Sequence, residues 1–287
     1  MVITTLVVLK VMLAPTLIAL CTFVVYRRGE AAGGWLLGLP LVSGPVSVLL
    51  FLEHGYGFAR EAAGGALLGL VAAAAFCSCY ALIATRQSWF KCLIAATVAC
   101  VATSVALVGM HPSFAGTIAL VLLVLGTLPW VMGAPRTSAS RTAPAAPDLL
   151  AKMLVATLVV FAITAAAGFL GAKVAGALAP LPIIAAVMAV SLHRAQGHEV
   201  ADNLLRGTVA GTWGGAAFFA VVVLMMAPGY AVETYVLATV AALAGAMVAT
   251  RVQNVAEREL EGERFHAVTA PALSSWRTPA PASRVRW

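Results

Sequence analysis

The residues best placed to do chemistry fall into three groups. Lys10 lies about eight residues, or about 12 Å at 1.5 Å per residue, inside an apolar run, and Lys152 stands near the start of another, four residues after Asp148. A cation inside hydrocarbon is costly and faces a partner or water, so these two lysines suit an anion or a lipid phosphate. For each, the alternative is snorkelling to an interface, and Lys152 has a local partner at the i−4 position. The second group joins helix breakers to hydroxyls: Gly38-Leu39-Pro40-Leu41-Val42-Ser43-Gly44-Pro45 with Ser47, and Pro180-Leu181-Pro182 later in the chain. Proline lacks a donor and clashes with the preceding helical turn, which frees backbone groups for a ligand. A kink that only shapes a bundle is the alternative. Lys10, Pro40, Ser43, Ser47, Lys152 and Pro182 are therefore the candidate substrate-binding residues.

The third group is polar: Glu53, His54, Arg60 and Glu61, then His193, Arg194, His198, Glu199, Asp202 and Arg206. Clusters of this kind can gate a pathway by exchanging ion pairs, and Glu53 or His198 could hold a coupling proton. Glu53, His54, His193, His198, Glu199 and Asp202 are the gating or coupling candidates, with solvated loop charges as the alternative. Their spacing matches no metal motif, so no metal is expected. Nucleotide-binding, hydrolase and zinc-protease signatures are absent from the sequence, which argues against an enzyme or a cofactor.

Stepping from these residues to what must hold them, 62% of the 287 residues are hydrophobic and 10% charged, against about 25% charged in soluble domains. That excludes a soluble globule, and the apolar runs exclude ordinary disorder. Spanning helices of about 20 residues fit, nine of them needing about 180 residues. Hydropathy places them near 3–26, 34–52, 62–85, 91–109, 114–133, 150–171, 173–192, 204–227 and 230–250. Runs of this length are helices, because barrel strands are half as long. The first run is too long for a signal-peptide core and is expected to be retained; the bulky Leu20 before Cys21 argues against a lipoprotein site. All five cysteines lie in apolar segments and read as small hydrophobes.

The net charge is +7, but in a membrane protein position matters more than sum, and nucleic acid is not an expected partner. With the N-terminus outside, cytoplasmic loops carry Arg27, Arg28, Arg86, Lys91, Arg136, Arg141, Arg194 and Arg206, while outer loops carry Arg60 and Lys173. Eight against two sets the topology as N-out, C-in.

Residues 10–76 laid over 152–218 at a constant offset of 142 give 17 identities in 67 gapless positions, where roughly six are expected from such a composition. The matches include Lys10 with Lys152, Gly34 with Gly176, Pro40 with Pro182, Gly55 with Gly197, Gly65 with Gly207, Gly69 with Gly211 and Phe76 with Phe218. An odd number of crossings precedes the second copy, so the two four-helix units are inverted. The expected fold is an all-α polytopic membrane protein of about nine transmembrane helices. Repeat one covers 1–110, a connecting helix 111–133, a cytoplasmic linker 134–149, repeat two 150–250, and a largely disordered cytoplasmic tail 251–287. Inverted repeats are common in secondary carriers, where alternating access needs two packings of similar free energy; static bundles and channels also use them. Gly65-x-x-x-Gly69 and Gly207-x-x-x-Gly211-x-x-x-Gly215 are expected to pack helices closely between the repeats.

The early lysine, the Gly34 to Pro40 turn, Glu53-His54-Gly55 and Gly65-x-x-x-Gly69 together resemble small bacterial membrane proteins of the GlpM type, two such units in tandem. The resemblance implies a four-helix unit in a bacterial inner membrane and carries no substrate or catalytic residues; repeat two departs from it at Ala195-Gln196. The function expected is a secondary carrier for a small anionic or amphiphilic solute or a lipid, against a non-transporting structural or regulatory membrane protein or a channel. The partners expected are membrane lipids and that small-molecule or lipid substrate, with a homodimer as an open option.

Overall fold

The computed structural model describes residues 2–41, 43–110, 112–132, 154, 158 and 182–251, with side chains from residue 15 onward except at 129 and 130. Lys152, the linker 134–149, most of the expected crossing 150–171 and the tail beyond 251 lie outside the described residues. The protein is all-helical, with no strand among the described residues. Its elements are α1 (Val2–Arg28), α2 (Glu30–Gly38), α3 (Ser43–Ala84), α4 (Trp89–Met110), α5 (Phe114–Met132), α6 (Ile183–Gln196), α7 (His198–Met225) and α8 (Ala231–Arg251). Among the described residues four helical stretches are long and apolar enough to cross a membrane: Glu30–Ala84, Trp89–Met110, His198–Met225 and Ala231–Arg251. Shorter apolar helices cover Phe114–Leu128 and Ile183–Gln196. The expectation of nine crossings thus meets four such stretches, the first of which contains the expected crossing 34–52 and all but the last residue of 62–85.

Glycine divides that long stretch. Gly55 interrupts α3 at φ 83°, ψ −178°, and Gly197 separates α6 from α7 at φ 98°, ψ 174°. Only glycine occupies this region without strain, because any Cβ would meet the backbone. The two positions are 142 residues apart, and other boundaries keep that spacing. Gly44 N–H donates to Pro40 O at 2.8 Å and Ala186 N–H to Pro182 O at 2.7 Å; α4 begins at Trp89 and α8 at Ala231. Both prolines therefore sit just before a helix, and their carbonyls accept from an amide in its first turn, instead of kinking a helix from within. Between α2 and α3 the chain is non-helical at 39–41, as the proline cluster predicts.

Neighbouring contacts give the directions. Ala31 meets Gly207, Trp35 meets Gly211 and Gly44 meets Phe218, so α2 and the first half of α3 run parallel to α7. Beyond Gly55 the order reverses: Arg60 reaches Val223 O and Leu70 reaches Gly215. The second half of α3 is thus antiparallel to α7, its counterpart at the offset of 142. Helix α8 lies back along α7, with Gly214 against Ala242 O and Gly245 against Trp213 O.

Tyr80, Leu67, Leu125, Leu204, Leu205 and Phe219 are fully buried at the centre. Outward faces are apolar as well. On α4, Phe90, Ile94, Val98, Val101 and Val105 are exposed while Cys92, Ala96 and Cys100 are buried; α8 exposes Val232, Val236, Val240 and Leu243 and buries Ala238, Ala242 and Ala246. A helix that is apolar all round but covered on one side only is what lipid contact requires.

Candidate functional site

Polar groups gather at both ends of helix α7, its own at the N-terminal end and those of α3 and α8 at the other. At its N-terminal end, His198, Asp202 and Arg206 follow at four-residue intervals and so share one face. Asp202 is 3% exposed, and Arg206 donates to its Oδ2 through Nε at 3.1 Å and Nη2 at 2.9 Å. The other oxygen, Oδ1, is buried without a hydrogen-bond partner. Across Gly197, His193 Nδ1 lies 3.1 Å from the Tyr80 hydroxyl, and its ring centroid is 6.5 Å from that of His198. Burial, and after it the neighbouring His198, holds the His193 imidazole below its ordinary range. The Arg194 guanidinium stacks 5.1 Å over the Trp89 ring, tying α6 to the start of α4. Glu30, 9% exposed, opens α2 next to Ala31, which packs on Gly207 beside Arg206.

At the other end, Tyr235 on α8 donates to Ser47 O at 2.9 Å, and its hydroxyl is 3.2 Å from Ser47 Oγ. Its ring meets Phe51 and Phe218. Arg60 Nε donates to Val223 O at 2.9 Å, Glu53 and His54 are exposed with 4.0 Å between Oε2 and Nδ1, and His54 stacks on Phe58.

Because Ala84 and Arg194 come to the same end of α7, the described basic loop residues collect there. Arg27, Arg28, Arg86, Lys91, Arg194 and Arg206 accompany Glu30, Glu199 and Asp202, whereas Arg60 accompanies Glu53, Glu61 and Glu233 at the far end. Arg136, Arg141 and Lys173 of the loop charge count lie outside the described residues.

Of the candidate substrate residues, Lys10 is placed within α1 and Lys152 lies outside the described residues. Pro40 and Ser43 stand where the first half of α3 meets Phe218, Ser43 and Ser47 are buried, and Pro182 caps α6. Ser47 is engaged by Tyr235 instead of facing an open site. Of the gating candidates, the structure brings His193, His198 and Asp202 to one junction, with Glu199 exposed beside them and Glu53 and His54 at the opposite end. Sequence reasoning did not single out Glu30, Tyr80 or the hydroxyl of Tyr235 as site groups. Glu30 carries a local signal, a carboxylate following Gly29 at the head of an apolar helix; Tyr80 carries none, since its partner is 113 positions away.

Replacing Tyr235 by Phe removes the bond to the Ser47 carbonyl while keeping the ring contacts. The expected loss is about 1 kcal/mol, read as a lowered midpoint in thermal unfolding of the detergent-solubilised protein. An unchanged midpoint would show that the contact adds nothing.

Among the described residues no group of three or more His, Cys, Asp or Glu side chains is arranged to hold a metal ion. No protein-family model, curated protein or solved structure matches the chain.

Proposed function

We propose that the protein is a multi-pass membrane carrier built from two inverted repeats of the GlpM type, moving a small anionic or amphiphilic solute or a lipid by alternating access in a bacterial inner membrane. The observation that carries this reading is the antiparallel packing of the second half of α3 on α7, its counterpart 142 residues on, with the broken stretch at 39–41 lying along the same helix. Two similar halves of opposite direction can exchange packings of similar free energy, and a broken helix between them leaves backbone groups for a solute. The charge difference between the two ends of α7 supports an orientation with the basic end in the cytoplasm.

The test is cysteine accessibility at the break. Ser43→Cys, in a chain whose native cysteines are replaced, is expected to react with a membrane-impermeant maleimide from either face of sealed vesicles, each face in turn as the equilibrium is shifted by trial solutes. Simultaneous equal reaction from both faces favours a channel. No reaction from either face overturns the carrier and favours a static structural or regulatory bundle, a reading to which the buried Ser47–Tyr235 contact already lends weight.

A further inference from the structure

We propose that the α6–α7 junction is a proton-operated latch, in which protonation of His193 and His198 releases the junction from Tyr80 and engages Asp202, making the proton the coupling ion. This rests on the carrier reading for its role in transport, though the latch itself is a property of the bundle.

The latched state is the one described. Tyr80 is fully buried and its hydroxyl needs a partner; in the latch, neutral His193 is assigned the Nε2–H tautomer, so that its bare Nδ1, 3.1 Å away, accepts the Tyr80 hydroxyl proton. With both imidazoles neutral, the ring separation of 6.5 Å between His193 and His198 carries no penalty. When both are protonated they repel, and His193 Nδ1 can only donate, which leaves the Tyr80 hydroxyl proton without an acceptor in an apolar interior.

The same change creates a use for the one buried polar atom at the junction that is unsatisfied. Asp202 lies one turn beyond His198 on the same face of α7, and its Oδ1 has no partner. An imidazolium on that face supplies the missing donor, so a proton exchanges a Tyr80–histidine bond for a histidine–Asp202 bond. Gly197, at φ 98°, is the pivot between the two histidines.

Charged and titratable groups surround the junction. On α6 there is Arg194; on α7, Glu199, Asp202 and Arg206; on α4 and the turn before it, Lys91 and Arg86; at the ends of α1 and α2, Arg27, Arg28 and Glu30; on α3, the Tyr80 phenol. Burial, and after it His198, opposes protonation of His193. His193 therefore stays below its ordinary 6.5 in the latched state. A group whose value is depressed in one state favours that state above the undepressed value, so the latched form prevails at neutral pH and is lost as pH falls through and below about 6.5.

Hydrogen exchange of residues 190–205 tests this on the full chain in lipid nanodiscs between about pH 8 and pH 5, corrected for intrinsic exchange. Protection should hold at the alkaline end and fall by roughly an order of magnitude on acidification. His193→Gln and His198→Gln should flatten the step, and Tyr80→Phe should lower protection at the alkaline end. Wild-type protection that does not change with pH overturns the latch, as does a step that survives in both histidine variants. Histidine titration in the wild type by NMR, which needs no variant, should show His193 protonating below its free value; an ordinary titration also overturns it. A pH step at the junction with no labelling of Ser43→Cys from either face leaves the latch standing and removes the carrier, whereas labelling without a pH step does the reverse.

Discussion

Gly34→Ala combined with Gly207→Ala is expected to leave little folded protein. A Cβ on Gly34 would fall on Leu204 O, one on Gly207 on Ala31 O, one on Gly211 on Trp35 O and one on Gly38 on Thr208 O. These obstacles are helix carbonyls and not side-chain ends, so no rotamer change relieves them and the helix axes must move apart. Apolar burial gives little drive for helix association in lipid, which leaves close packing as the force that holds α2 to α7. Overpacking costs about 1–3 kcal/mol at sites that can adjust, and a carbonyl seam stands at or beyond the top of that range. Two such losses consume most of a total stability of about 5–15 kcal/mol. Gly64→Ala is the control: nothing lies within 4 Å of its Cβ position, and the helix gains about 1 kcal/mol in propensity. Thermal unfolding and size-exclusion profiles in detergent should show the seam variants aggregated or melting early and Gly64→Ala unchanged or improved. Seam variants that melt with the wild type would sink the packing.

That seam also shows what could be read in advance. Glycine and proline constrain the backbone wherever they stand, so the spacing of 142 that joins Gly55 to Gly197 and Pro40 to Pro182 is legible in the sequence, and each pair has matching local geometry. The glycine run from Gly207 to Gly215 is legible as a packing face, but its partner is not: Gly34-x-x-x-Gly38 supplies the opposing small face. Side-chain partnerships were hidden for a different reason. Whether Ser47 faces a cavity or Tyr235, 188 positions away, depends on the rotation of two helices about their axes, and hydropathy is nearly blind to rotation when every face is apolar. Glu30 was passed over because a single carboxylate next to a turn reads as solvated until the fold covers it. At the α6–α7 junction the sequence offers His193 and His198 as gating or coupling candidates, while Tyr80, buried in an apolar stretch, offers no pattern.

Arg206→Met is expected to cost about 3–5 kcal/mol, because it strands a carboxylate inside the bundle. In the native protein the guanidinium places two donors on Asp202 Oδ2, with the side chains of Arg206 and Asp202 exposed by 15% and 4%. Removing the arginine leaves both carboxylate oxygens without it, Oδ1 having had no partner to begin with. Asp202→Asn, which keeps shape and removes charge, should cost less. The pair replaced together, Asp202→Asn with Arg206→Met, should recover part of the loss, since neither buried charge then stands alone. Unfolding midpoints of the four proteins decide the matter: a double variant no better than Arg206→Met alone would mean that stem packing, and not a stranded charge, is what the arginine contributes.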